Sequence, residues 1–271
     1  MKYFFNLLIL ALILGGCATS PTGRSQLMLV SPEQAIVASR QAYVQTLQPL
    51  AKEGKIDSNP AVSERVRTIT GRIIHQAIDL YPHTRNWDWS IKVIDDPEMI
   101  NAWCMAGGKM AIYTGLLNKV DPTDDELAQV LAHEISHALA NHTAERMSVA
   151  MASQLGVMGI GIATRNSNYG GAALTGSALA AALAIQLPNS RSSETEADLM
   201  GLELAARAGY DPRTAATLWQ KMEKAGGSGP AEFLSTHPSP GNRQRTLKNA
   251  APEYMVLYLE PKPRPVYQFR N

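Results

Sequence analysis

The stretch LAHEISHALANH, residues 131–142, contains the pattern H-E-x-x-H, in which Glu134 directly follows His133 and His137 stands one helical turn further on. On an α-helix such positions share a face, so the two imidazoles can bind one metal ion. The pattern is typical of catalytic zinc sites, where the glutamate acts as a general base on water. The alternative is a helix that is merely rich in histidine, and a third ligand elsewhere in the chain would exclude it.

The third ligand is expected outside this stretch. His142 stands one position too early for the last histidine of the pattern H-E-x-x-H-x-x-G-x-x-H, so we interpret it as a buried polar residue or as a partner of a ligand. The segment NSRSSETEAD, residues 189–198, places Glu194 and Asp198 one turn apart on a predicted helix. One carboxylate can bind the metal while the other supports a histidine. Such a set leaves a coordination position open, as catalytic zinc requires.

Capping and alternation patterns predict the elements around this site. TDDE, residues 123–126, is a capping box that begins the histidine helix, and SPEQ, residues 31–34, begins an N-terminal helix. WSIKVID, residues 89–95, alternates in the manner of a strand, and GGKMAIYTG, residues 107–115, is predicted to be its hairpin partner. The fold class expected is α+β, mainly helical, with a small antiparallel sheet.

Composition limits the classes of function. The chain of 271 residues is long enough for one substantial core, and its formal net charge of +1 comes without a basic block, so no nucleic-acid partner is expected. Beyond Cys17 the only cysteine is Cys104, which excludes a disulfide framework. Cys104 is interpreted as a small buried hydrophobic residue.

The N-terminal segment has the layout of a secretory signal. An apolar run from Phe4 to Leu14 is too short for a membrane span, and small residues follow it up to Cys17. LGGC, residues 14–17, resembles the bacterial lipobox, so we expect residues 1–16 to be a lipoprotein signal peptide and Cys17 to carry lipid. In the alternative interpretation, the signal is a plain one and the cysteine is incidental. Ala18 rather than Asp follows the cysteine, which by resemblance to enterobacterial lipoproteins implies sorting to the outer membrane, facing the periplasm.

These observations divide the chain into four parts. Residues 17–55 are expected to hold the lipid anchor, a tether and the N-terminal helix, residues 56–250 the catalytic domain, and residues 251–271 an extended Pro-rich tail. Within the domain, residues 149–187 contain two apolar arms that are each too short to cross a bilayer. We interpret them as a helical hairpin that packs on the domain or contacts membrane or a client chain.

Four segments, in order, resemble the gluzincin family that includes HtpX and the CAAX-prenyl endopeptidases. They are NAWCMAGGKMAIYTGLL (101–117), HEISHALANH (133–142), SRSSETEAD (190–198) and THPSPGNR (236–243). The likeness is closest to the soluble, lipid-anchored periplasmic branch, and it implies a zincin-type catalytic domain. It also implies one Zn²⁺ per chain, with roles for the following residues: His133, His137 and Glu194 as ligands, Glu134 as base and Asp198 as the supporting carboxylate.

Family and compartment together imply a zinc endopeptidase that acts on misfolded or unassembled envelope proteins, with the outer-membrane assembly machinery as a further candidate partner. An extended substrate is expected to add to an edge strand around residues 101–112, near Asn101, Ala102, Gly107 and Gly108. The alternative function is a chaperone-like assembly factor in which proteolysis is secondary or latent. A structural zinc module is disfavoured, because such sites are usually closed by four Cys or His ligands.

His237 precedes a proline in a segment rich in turn formers, so we expect it in a loop. Three roles are open to it. It can cap nearby carbonyls, it can stabilise an oxyanion with Arg243 as a second donor or loop anchor, or it can bind zinc as an inhibitory fourth ligand. The inhibitory role is favoured, because a protease that is surrounded by unfolded exported chains benefits from a low resting activity.

Overall fold

The computed structural model describes residues 17–163, 189–226, 232–238 and 243–270. The predicted signal peptide and the second arm of the apolar insert lie outside the described residues. The first arm is helical. Among the helices of the described ranges, none is both long enough and apolar enough to cross a membrane.

The described residues form five β-strands and eight α-helices. The strands are β1 (Cys17–Thr19), β2 (Ser25–Leu27), β3 (Ser90–Ile94), β4 (Ala102–Met105) and β5 (Lys109–Tyr113). The helices are α1 (Pro32–Lys52), α2 (Pro60–Leu80), α3 (Asp124–Leu139), α4 (His142–Ala163), α5 (Arg191–Arg207), α6 (Thr214–Ala225), α7 (Glu232–Thr236) and α8 (Arg243–Leu259). A 3₁₀-helix (Pro82–Asn86) and a π-helical turn (Leu116–Val120) flank the larger sheet. The mainly helical α+β class is confirmed.

The larger sheet has the order β3-β5-β4, with β5 parallel to β3 and antiparallel to β4. The predicted hairpin between residues 89–95 and 107–115 is therefore wrong, and the sheet is mixed rather than antiparallel. The alternation of a strand shows which residues share a face but not which strand lies beside it. The true hairpin joins β4 to β5 through Gly107 and Gly108, whose φ angles are +79° and +78°.

The position of the sheet edge also differs from the prediction. Residues 101–112 span two strands, and only β4 lies at the outside of the sheet, whereas β5 is central. Gly107 and Gly108 lie in the turn, where a Cβ would meet Ile36 and Trp89 respectively. Asn101 and Ala102 are the predicted substrate-contacting residues that belong to the edge.

The sheet separates two apolar cores. One face packs against α2 and α3 through Ile91, Val93, Cys104, Met110 and Ile112. The opposite face packs against α1 through Ile94, Trp103, Met105 and Ala111. Neighbouring residues of β4 therefore enter different cores, as strand geometry requires. Cys104 is buried as predicted.

Helix α3 carries the H-E-x-x-H pattern through the middle of the molecule. Its predicted capping box is present: the backbone N–H of Glu126 donates to Thr123 Oγ1 at 3.3 Å, and that of Thr123 donates to Glu126 Oε2 at 2.9 Å. Helix α5 crosses α3 closely, because a Cβ at Gly201 would lie 3.1 Å from the backbone nitrogen of His133. This close approach brings the acidic segment of α5 against the histidines.

The C-terminal tail begins later than predicted. Helix α8 continues to Leu259, and the stretch without regular structure starts at Glu260. Pro252 lies inside α8, and the prolines that exclude a helix begin only at Pro261. The backbone N–H of Tyr267 donates to the carbonyl oxygen of Gly71 in α2 at 3.0 Å, so the tail lies along the domain.

Candidate metal centre

Four side chains from separate parts of the chain meet at one buried point. His133 and His137 come from α3, Glu194 from the first turn of α5, and His237 from the residue directly after α7. One ligand atom of each lies within 4.8 Å of every other. The structure thus places the three predicted ligands together and adds His237 to them.

The spacing of these atoms fits a zinc ion. The Nε2 atoms of His133 and His137 lie 3.0 Å apart, and they lie 3.4 Å and 3.3 Å from carboxylate oxygens of Glu194. Tetrahedral zinc with ligands at about 2.0–2.1 Å holds those ligand atoms about 3.3 Å from one another. A cation also offsets the repulsion between lone pairs that face each other. The residues present therefore fit zinc in both type and spacing.

His133 is held from behind by a carboxylate. Its Nδ1 lies 3.0 Å from Oδ1 of Asp198. Arg243 donates from Nη2 to the same Asp198 oxygen at 2.5 Å and from Nη1 to Oε2 of Glu194 at 3.1 Å. The guanidinium of Arg243 also stacks on Trp219, 3.6 Å from the ring centroid. Arg243 therefore anchors the carboxylates behind the centre rather than facing the cleft.

His137 is held by a second histidine. Its Nδ1 lies 2.7 Å from Nδ1 of His142, and Nε2 of His142 lies 3.0 Å from Oε2 of Glu196. His142 is thus a partner of a candidate ligand, as one of the two interpretations from sequence proposed. Burial dominates at His142 and lowers its pKa, although Glu196 opposes this effect.

Glu134 lies beside the centre with an unused acceptor. Its Oε1 is buried, has no hydrogen-bond partner in the described part of the chain, and lies 3.3 Å from Nε2 of His237. Burial raises the pKa of the Glu134 carboxyl, while His237 and His133 counter that rise in part. A carboxylate with a raised pKa and an unused oxygen is suited to accept a proton.

Charge is distributed unevenly over the four side chains of the centre. Burial acts to raise the pKa of Glu194, but the neighbouring histidines outweigh it and lower that pKa. Burial acts to lower the pKa of His133, but hydrogen bonds with Asp198 and Glu194 raise it to about 9. At His137 burial prevails, so its pKa falls well below the usual value. Zinc binding at this point would require unprotonated nitrogens on these histidines.

A narrow cleft opens on the centre from the side of the sheet. Its lining comprises Asn101, Ala102, Trp103, Cys104, Glu134, His137, Arg146, Asn189, Thr236 and His237. The edge strand β4 and the base candidate therefore border the same space.

Sequence reasoning missed three residues around the centre. Arg146 lines the cleft, and its Nε has no hydrogen-bond partner among the described residues. Burial lowers the pKa of Arg146 to about 10. Asn189 Nδ2 lies 3.3 Å from Nδ1 of His237. Glu196 lies two residues after Glu194, and His142 connects it to His137. No local pattern marks such residues, since each acts through a neighbour distant in sequence.

Comparison with known proteins agrees with this geometry. A sequence profile described as peptidase family M48 matches residues 60–251. The chain is 37% identical over 187 residues to mitochondrial metalloendopeptidase OMA1 of Arabidopsis thaliana, covering 66% of this chain and 35% of that protein. It is 34% identical over 267 residues to metalloendopeptidase OMA1 of Bos taurus, covering 93% and 49%. It is 34% identical over 168 residues to the beta-barrel assembly-enhancing protease of Escherichia coli, covering 59% and 34%.

A buried group of three histidines and a glutamate that fits zinc, with an adjacent proton acceptor, defines the class of protein: a zincin-type metallopeptidase domain. More narrowly, the chain belongs to peptidase family M48. The relatives named above are OMA1 and assembly-enhancing proteases, so the predicted likeness to HtpX and the CAAX-prenyl enzymes holds at the level of the family. The chain spans between 34% and 49% of the length of these relatives.

Proposed function

We propose that this peptidase cleaves misfolded or unassembled proteins of the bacterial cell envelope, and that His133, His137 and Glu194 are its zinc ligands. The observation that carries the chemistry is the buried Oε1 of Glu134, which makes no hydrogen bond within the described residues, lies 3.3 Å from His237 Nε2 and borders the cleft beside β4. A buried carboxylate with an available acceptor next to a metal centre is placed to take a proton from water.

Each side chain has a part in the proposed hydrolysis. Bound zinc supplies a Lewis acid that polarises a carbonyl and makes water more acidic. Glu134 accepts a proton from the attacking water and returns it to the leaving amine. The substrate adds along the outside of β4, where Asn101 and Ala102 border the cleft. Asp198 and Arg243 keep the ligands oriented.

His237 is proposed to be a fourth ligand in the resting enzyme. Its Nδ1 lies 3.3 Å from Nε2 of His133 and 3.1 Å from Oε1 of Glu194, which matches the spacing among the other ligand atoms. A fourth protein ligand occupies the position that catalysis needs for water. This arrangement favours an enzyme that is quiet at rest, and it also supports the second candidate function, an assembly factor with latent proteolysis.

The envelope location is part of the proposal. It is supported by the signal-like residues 1–16, by the lipobox-like cysteine at position 17, and by the likeness to beta-barrel assembly-enhancing proteases. Unfolded envelope polypeptides are then the substrates, and the membrane is contacted through lipid on Cys17.

The decisive experiment is the digestion of unfolded casein by purified protein, with and without a chelator. We expect cleavage that stops on chelation and returns with Zn²⁺. Glu134→Gln should lose about 10²–10⁴ in turnover and keep its zinc, since the residue moves a proton and binds no metal. Glu232→Gln, at an exposed position, is the matched control. Cleavage by Glu134→Gln at the wild-type rate would refute the proposed base, and client binding without any cleavage by the wild type would favour the assembly factor.

A further inference from the structure

The segment after the predicted lipid anchor is folded onto the domain. Strands β1 and β2 pair antiparallel and form what we call the anchor hairpin, residues 17–27. Gln26 Nε2 donates to the carbonyl oxygen of Ala140 at 2.7 Å, directly after α3. A little further along, the backbone N–H of Val30 donates to Ser148 Oγ of α4 at 2.9 Å. The predicted tether is therefore docked beside the helix that carries two of the zinc ligands.

Arg24 of the anchor hairpin joins two carboxylates of the domain. Its Nε donates to Oε2 of Glu196 at 2.8 Å. Its Nη1 and Nη2 donate to the two oxygens of Glu145 at 2.7 Å and 2.6 Å, a bidentate pair. Thr22 donates to the other oxygen of Glu196 at 2.5 Å. Both oxygens of Glu196 are thus held by the hairpin, although the side chain of Glu196 is only 3% exposed.

The contacts continue from Glu196 to the metal centre. Both oxygens of Glu196 accept hydrogen bonds, Oε1 from Thr22 and Oε2 from Arg24, so towards His142 this carboxylate also acts as an acceptor. Nε2 of His142 must then carry a proton, and its Nδ1 accepts from Nδ1 of His137. With its proton on Nδ1, His137 keeps a free lone pair on Nε2, and this atom faces Glu194.

We propose that Arg24 is a positioning residue of the zinc centre. Through Arg24 the anchor hairpin holds Glu196, which orients His142. His142 in turn fixes the orientation and the tautomer of His137. His133 is oriented in the same way by Asp198 and Arg243, which both belong to the domain. Arg24 lies outside residues 60–251, the part of the chain that matches the family profile. The contacts that orient His137 therefore begin in the segment that follows the predicted anchor, whereas those that orient His133 lie within the domain.

The test measures how fast the purified full-length protein loses zinc to a chelator. Arg24→Gln and Glu196→Gln should lose zinc about tenfold faster or more, because partners behind a metal ligand are typically worth 10–100-fold in affinity. Arg24→Lys keeps a cation for Glu196 and should restore most of the retention. Glu145→Gln is the matched control, since it removes the other partner of Arg24 and leaves the path to His137 intact.

A second readout separates positioning from simple docking. In the Co²⁺-substituted protein, the visible absorption bands should shift in Arg24→Gln and Glu196→Gln but not in Glu145→Gln. Circular dichroism and Tm check that each variant is folded, and Thr22→Val tests the same path if Arg24→Gln fails to fold. Zinc loss at the wild-type rate in the folded Arg24 and Thr22 variants would overturn the inference, as would equal acceleration in Glu145→Gln.

The inference rests on the proposed role of His137 as a ligand. The zinc content of His137→Ala tests that role separately. If this variant lacks zinc while the Arg24 variants retain it normally, the inference about the hairpin fails and the proposed function stands.

Discussion

The Nδ1 atoms of His137 and His142 lie 2.7 Å apart, so a candidate zinc ligand is oriented by a second buried imidazole. Most zinc-bound histidines donate to a carboxylate or a backbone carbonyl instead. Here the carboxylate of Glu196 is one residue further away, 3.0 Å from Nε2 of His142. Because His142 stands between His137 and Glu196, His137 can be oriented by a carboxylate whose partner, Arg24, lies outside the predicted catalytic domain.

This relationship predicts the effect of removing His142. His142→Ala deletes the acceptor of the His137 N–H and leaves that donor buried, so we expect zinc affinity to fall about 10–100-fold. Competition with a chromophoric chelator measures the change. His75→Ala, on a partly exposed histidine of α2, is the control. Wild-type affinity in folded His142→Ala would contradict an orienting role.

Glu194 is expected to be indispensable for the metal. Its carboxylate lies within 3.4 Å of ring nitrogens of three histidines, so Glu194→Ala removes the only anionic ligand among the candidates. We expect loss of both zinc and activity, measured by metal analysis and casein digestion. Glu203→Ala, on the same helix, should retain both. Full zinc occupancy in Glu194→Ala would exclude Glu194 as a ligand.

His237→Ala distinguishes the roles left open for that residue by the sign of its effect. If His237 blocks the water position, its loss should raise basal activity and weaken zinc binding. Loss of an oxyanion donor would instead lower turnover by roughly 10²–10³. Initial rates on casein, measured beside the zinc dissociation constant, separate the two outcomes. Activity within about twofold of the wild type, together with unchanged zinc affinity, would refute both roles.

Cys17→Ala is predicted to release the protein from the membrane. A single lipidated segment is the expected anchor, and the described helices offer no candidate span. Fractionation followed by a salt wash tests this, with Cys104→Ala as the control because that thiol is buried. Retention of Cys17→Ala in the washed membranes would point to the apolar residues 149–187 as a membrane contact.

The sequence by itself determined which residues are the candidate central ligands and which helix carries the two histidines. H-E-x-x-H fixes His133 and His137 on one face, because a helix places residues one turn apart within reach of one ion whatever surrounds it. The capping boxes at residues 31–34 and 123–126 fixed where two helices begin, since both partners lie within one turn.

Tertiary structure alone decided the partners of these elements. The strand at residues 89–95 is recognisable from its alternation. Which strand pairs with it, and whether in parallel or antiparallel direction, is not recognisable, because side chains alternate in the same way in both kinds of pair. His237 comes within 3.3 Å of His133 across 104 residues, and Arg24 comes within 2.8 Å of Glu196 across 172 residues. Local patterns carry no signal for such contacts, since they form only when elements distant in sequence pack together. The close crossing of α5 on α3 at Gly201 is one example.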